Sequence, residues 1–183
     1  MTLRTTGRAT VALGFLYLFG PSACGSTPLG DATVTGPQEM VVTNAWAFHP
    51  PPVPNYSYDL STNPKVLEIM MSDGPSLSCA TVQSLTSGAI DAVVFAAFPK
   101  DGESSVGPGT YPIVSTSQSR GPFALSQRFA CGGGTGGCIG TSLVVSGSLT
   151  ITSVGESTQG SFTVEYQGDT APTRGTFSVQ TCD

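Results

Sequence analysis

One histidine, His49, stands in a chain of 183 residues that carries 22 serines. Those are two of the three parts of a serine hydrolase. A triad also needs a carboxylate beside the imidazole, and the common strand–turn–helix setting of the nucleophile reads G-x-S-x-G. No such elbow occurs, and His49 runs directly into Pro50-Pro51-Pro52. The residue therefore reads as a loop position, and a secreted hydrolase using His49 is an alternative, not the main reading. Asp101 and Glu103 lie close enough in sequence to suggest a carboxylate pair or a weak calcium site. They sit in a Gly- and Ser-rich turn without the D-x-[DN]-x-[DN]-G pattern of a calcium loop, so a solvated turn is expected. Residues 132–137, GGGTGG, satisfy G-x-G-x-x-G only formally. Cysteines flank them, no helix signal follows, and Cys138 occupies the place a phosphate loop reserves for lysine. Arg120, Arg128 and Arg174 are too few for an anion site. No catalytic residue, metal site or cofactor is assigned.

Trp46, Tyr56 and Tyr58 flank the proline-rich stretch 49–55, which opens on His49. Aromatic rings beside stiff proline backbone can form a platform for a sugar or a peptide, which makes these four the candidate ligand-binding set. Packing within a small β domain is the plainer role for such rings. Asn55-Tyr56-Ser57 also spells a glycosylation sequon.

The cysteines are Cys24, Cys79, Cys131, Cys138 and Cys182. Cys24 stands apart near the N-terminus, and the remaining four make an even set suited to two disulfides. Three connectivities are open. Cys131–Cys138 with Cys79–Cys182 is favoured, because GGGTGG can fold back on itself and the second bond would tie the C-terminus to mid-chain. Zinc is disfavoured by the six-residue gap and the single histidine.

Residues 1–8 hold two arginines and no acid, and residues 9–23 are uncharged. Their apolar run, Ala9 to Phe19, is 11 residues long, against the roughly 20 a spanning helix needs. A basic head, a short apolar middle and small residues at the end describe a secretory signal over 1–23. Pro21-Ser22-Ala23-Cys24-Gly25 resembles the lipobox of bacterial cell-envelope lipoproteins, with Ser22, Ala23 and Cys24 carrying the match. The resemblance implies that Cys24 becomes the acylated first residue and anchors the chain to a membrane. Gly25, in place of an aspartate, implies sorting to the outer membrane. Plain secretion after Ala23 is the alternative.

Composition excludes several classes. Lys, Arg, Asp and Glu make up 10% of the chain and the formal charge is −5, so the basic footprint of a nucleic-acid binder is missing. With 39% hydrophobic residues the chain is not a charge-driven disordered one. Without residues 1–23 the charge becomes 5 − 12 = −7, because Arg4 and Arg8 leave and no acid does.

What would position any site is a β framework. Residues 24–39 read as a lipidated flexible tether, and 40–183 as one domain. Strands are expected at 40–48, 56–60, 65–72, 89–98, 109–115 and 123–131, with one short helical turn near 79–83. Pro112 marks 109–115 as an edge strand. Three later segments, starting at Gly147, Gly160 and Gly175, share one template of Gly, hydroxyl, large apolar, hydroxyl, β-branched apolar. Their alternation puts Leu149/Ile151, Phe162/Val164/Tyr166 and Phe177/Val179 on one face of an antiparallel meander, with Thr and Ser on the other. Eight or nine short strands predict an all-β fold. An antiparallel β-sandwich is preferred, because 89–98 is apolar on both faces, and a flattened β-barrel is the alternative.

Overall fold

The structure is a computed structural model that describes residues 30–37, 40–48, 65–74, 90–115, 121–131 and 138–182. It is all-β in these residues. Ten strands follow in order: β1 (Gly30–Thr35), β2 (Asn44–Phe48), β3 (Leu67–Ser72), β4 (Ile90–Phe98), β5 (Gly109–Val114), β6 (Phe123–Cys131), β7 (Cys138–Ser142), β8 (Val144–Ser153), β9 (Ser157–Tyr166) and β10 (Thr173–Cys182).

The sheet closes on itself. Its order β10-β2-β3-β4-β6-β5-β8-β9 returns to β10 through the β9–β10 ladder, giving an eight-stranded barrel. β1 adds to the free edge of β10, and β7 forms a hairpin with β6. The preferred sandwich is therefore corrected to a closed barrel. The pairing is mixed and not purely antiparallel, since β2 runs parallel to β10 and β5 parallel to β6. A sandwich was inferred from the two-faced burial of 89–98. In the barrel one face of that strand, Val93, Phe95 and Ala97, joins the central core, and Ala92, Val94 and Ala96 are buried on the outer wall.

Eight strands leave an interior that side chains can fill. Here it is filled by Leu67, Ile69, Phe95, Leu149, Ile151, Phe162, Val164 and Phe177 among others. Phe95 and Phe162 meet with ring centroids 4.7 Å apart. The three-segment meander is β8, β9 and β10, and every apolar residue its alternation placed inward lies in this core. The outward positions form a continuous row of hydroxyls across five strands, Thr110–Thr150–Ser161–Thr176–Thr33, each the register partner of the next. Neighbouring hydroxyls meet at its two ends, Thr33 with Thr176 at 3.1 Å and Thr110 with Thr150 at 3.3 Å.

Two expectations change. The segment 24–39 contains strand β1, whose six residues pair with Arg174 to Val179. Val34 is buried in the core while Thr33 and Thr35 stay exposed. Glycine and proline on either side hid this short alternation, and Gly30–Thr35 belongs to the barrel wall. β5 is not an edge strand either, because it lies between β6 and β8. Its parallel pairing to β6 covers only Ile113 and Val114, so Pro112, the residue without an N–H, falls just before that ladder begins.

The barrel has two rims. At the first, β1 begins and β2, β8 and β10 end; Val106 of the connection 99–108 joins the core there. Tyr111 donates its hydroxyl to Gly107 O at 2.6 Å and accepts from Gly107 N–H at 3.2 Å, which pins that connection. At the second rim, β2, β8 and β10 begin and β9 ends.

Candidate functional site

Among the described residues, polar chemistry gathers in two places. The first is inside the second rim. β6 places Arg128 inward, opposite Val93, where a cation has no water to turn to. Its guanidinium carbon lies 4.5 Å from the centroid of the Tyr166 ring. Nη1 pairs with Asp169 Oδ2 at 3.3 Å, and Nη2–H donates to Thr173 Oγ1 at 2.8 Å. The Tyr166 hydroxyl is hydrogen-bonded to that of Ser126 at 2.8 Å. Burial pushes the Tyr166 phenol up to about 12, opposed by the Ser126 hydrogen bond and the Arg128 charge. The tyrosine stays neutral, and the arginine is paired with Asp169 and Thr173. Such a cluster closes the end of a barrel, and its groups are engaged with one another. No local pattern marks it, because its members are scattered from 126 to 173.

The second place is the outer wall of β2, β3 and β4. Alternation turns Ala45 and Ala47 inward and Asn44, Trp46 and Phe48 outward; on β3 it turns Glu68, Met70 and Ser72 outward. Cross-strand rows then read Phe48–Glu68–Ala96, Trp46–Met70–Val94 and Asn44–Ser72–Ala92. This wall is buried: Trp46 and Ser72 are 0% exposed and Glu68 is 1% exposed. Three of its polar atoms, Glu68 Oε2, Trp46 Nε1 and Ser72 Oγ, are buried without a hydrogen-bond partner. Each such group costs about 1–3 kcal/mol when left unmet. Burial alone pushes the Glu68 carboxyl up to about 7. Protonated, it is a donor beside apolar neighbours, a state suited to a polar ligand or a bound water and not to a lone cation.

Of the expected ligand-binding residues, only Trp46 is described. It is fully buried, with its ring edge-on to Phe48 at 6.1 Å and 80°, so it is no exposed platform. His49, Tyr56 and Tyr58 lie outside the described residues. The sequence marks Glu68 only by an acid inside the run Lys65-Val-Leu-Glu-Ile-Met-Met.

Cysteine placement is partly described. Cys131 and Cys138 are register partners across the β6–β7 hairpin, at the two sides of GGGTGG. Cys182 pairs in register with Phe48, is 5% exposed, and is disulfide-bonded. Cys24 and Cys79 lie outside the described residues. A shallow groove of about 530 Å³ runs between β1 and residues 42–43, lined by Asp31, Thr33, Val42, Thr43 and Thr176, and gathers little beyond hydroxyls. No protein-family model, no curated protein and no solved structure matches this chain.

Proposed function

We propose that this chain is a non-enzymatic, exported lipoprotein, held to the outer membrane by acyl chains on Cys24, whose β-barrel has a binding or structural role in the cell envelope. The observation that carries this reading is Ser22-Ala23-Cys24 after a basic head and a short apolar run, ending six residues before β1. Each buried CH₂ of an acyl chain contributes about 0.8 kcal/mol, so several chains on one cysteine hold firmly. Membrane fractionation tests it. Wild type should sediment with membranes and Cys24→Ala should be released; a wild type found wholly in the soluble fraction would sink the proposal.

A second reading is that the barrel binds a carbohydrate or peptide around Trp46, whose wall is buried and has to be uncovered for the ligand to reach it. The unpartnered Glu68 Oε2, Trp46 Nε1 and Ser72 Oγ favour it. Trp46 is the chain's one tryptophan, so its fluorescence reports on this wall alone. Titration with peptidoglycan fragments and with envelope polysaccharide should shift the emission, and Glu68→Gln should weaken the shift. An emission unchanged by either ligand counts against this reading.

A further inference from the structure

We infer that the groove between β1 and residues 42–43 takes a short, extended, basic peptide by main-chain pairing. This goes beyond the envelope role proposed above, concerns a site whose lining does not include Trp46, and holds with or without the anchor. It starts from a gap in the barrel wall. β10 shares one edge between two strands: β1 pairs with Arg174 to Val179, and β2 takes over at Gln180. Between β1 and the chain leading into β2 one bridge forms, Val34 with Met40. The Thr33 carbonyl faces β10, so close that a β-carbon on Gly175 would strike it. Backbone groups alternate in direction along a strand, so Asp31, Thr33 and Thr35 direct theirs to β10, and Ala32 and Val34 direct theirs away from it. On the far wall the Thr43 N–H donates to Ser72 O of β3 at 2.9 Å. Val42, one residue earlier, therefore points its groups back toward β1. Ala32 and Val42 come next after the Val34–Met40 bridge, yet among the described residues no backbone bond joins them. Thr43 and Asn44 are drawn to the β3 side instead, where both side chains donate to Gly74 O.

Two unpaired main-chain edges facing one groove match the chemistry of an extended peptide, whose own N–H and C=O groups alternate to both sides. The groove's volume, about 530 Å³, falls within the roughly 300–1,000 Å³ of small-ligand sites. Ala32 and Val42 turn their side chains onto the core, which leaves their backbone at the surface. The length of the slot is limited. Val34–Met40 closes one end and Trp46 opposite Gln180 closes the other, so β1 lines it only from Gly30 to Thr33, about 13 Å of strand. Such a slot refuses a continuous six-residue strand, and with it the β1 of a second copy, which the formal charge of −5 also repels. Charge selects among peptides. Asp31 is the charged residue of the lining, beside the hydroxyls of Thr33, Thr43 and Thr176, so a lysine or arginine on the peptide is favoured.

Amide hydrogen exchange and peptide binding on the full-length protein test this. In the protein alone the Ala32 and Val42 amides should exchange fast, while that of Thr33, paired to β10, is protected. The probe is acetyl-Lys-Val-Lys-Val-amide. It should slow exchange at both amides, and its affinity should fall about fivefold or more when every residue of the peptide is N-methylated. Ala32→Pro removes an N–H that β10 does not use, at an edge position where proline is tolerated, and should weaken the parent peptide by a similar factor. Asp31→Asn should weaken it by about threefold. Protection of Ala32 in the protein alone, amides unmoved by the probe, or equal binding of parent and methylated peptides overturns the site. Unchanged affinity in Asp31→Asn overturns the choice of a basic peptide. The two peptides are compared on the wild-type protein, so the test stands even if Ala32→Pro fails to fold.

Discussion

The Phe177 ring covers Gly160, and one strand over the Phe162 ring covers Gly175, so two copies of the same Gly-x-Phe segment fill each other's gaps. The β9–β10 register pairs Gly160 with Phe177 and Phe162 with Gly175. A β-carbon at Gly160 would stand 2.5 Å from Phe177 Cζ and closer still to the Thr150 carbonyl, and one at Gly175 would stand 2.6 Å from Phe162 Cε1 and closer still to the Thr33 carbonyl. The glycine of the template is thus a steric requirement of the core and not a turn signal. Gly160→Ala and Gly175→Ala should each destabilise the barrel by about 1–3 kcal/mol, as overpacked cores do. Urea melts at constant slope check this; a change below about 0.5 kcal/mol in both variants would show that the rings and the neighbouring strands shift to make room.

The buried Glu68 makes stability depend on pH. Its folded value of about 7 lies above the ordinary 4.5, so the folded state holds its proton longer than the unfolded one. Below pH 4.5 both states are protonated and nothing is lost. Between about 4.5 and 7 stability should fall, by roughly 3 kcal/mol in total, and then level off. Glu68→Gln should flatten the curve over this window and be the more stable protein at pH 8. Denaturant midpoints at pH 4.5, 6 and 8 measure it, and parallel curves for the two proteins would contradict the assignment.

Arg128 is the second-rim residue whose loss should cost most. Removing it strands the Asp169 carboxylate and takes a donor from the fully buried Thr173. Arg128→Ala should destabilise by about 3 kcal/mol or more. Arg128→Lys should recover only part of this, since one ammonium cannot both cover Tyr166 and reach two acceptors. Equal stability of Lys and wild type would show that the planar fork is unimportant.

The register of the β6–β7 hairpin bears on the thiols. Directly paired antiparallel residues have Cα atoms about 4.5–5.5 Å apart, within the span a disulfide accepts. With Cys182 already bonded, Cys131–Cys138 and Cys79–Cys182 are the expected pairs. Alkylation of the mature domain under denaturing, non-reducing conditions should find no free thiol, and peptide mapping should recover these two links. One or more alkylated cysteines among the four would refute the pairing.

Much of the barrel's inner face was legible in the sequence because strict alternation over Leu149/Ile151, Phe162/Val164/Tyr166 and Phe177/Val179 leaves no second way to bury those side chains. Closure was not, since nothing local says that β10 finds β2 at Gln180–Cys182 while β9 and β1 hold the rest of it. β1 was hidden by its length and by the glycines and prolines around it. The outer-wall acid was hidden by its neighbours: Glu68 sits among residues buried on both faces, so periodicity could not mark it as anomalous. Arg128 and Asp169 are 41 residues apart, and their meeting depends wholly on the register of β4, β6 and the meander.

Localisation and envelope role both depend on the lipid anchor, and intact-mass spectrometry of the protein purified from membranes tests it directly. The account predicts a mature chain that begins at Cys24, heavier than its sequence by a diacylglyceryl group and an amide-linked acyl chain. A chain with an unmodified Cys24, or one still carrying residues 1–23, would contradict it.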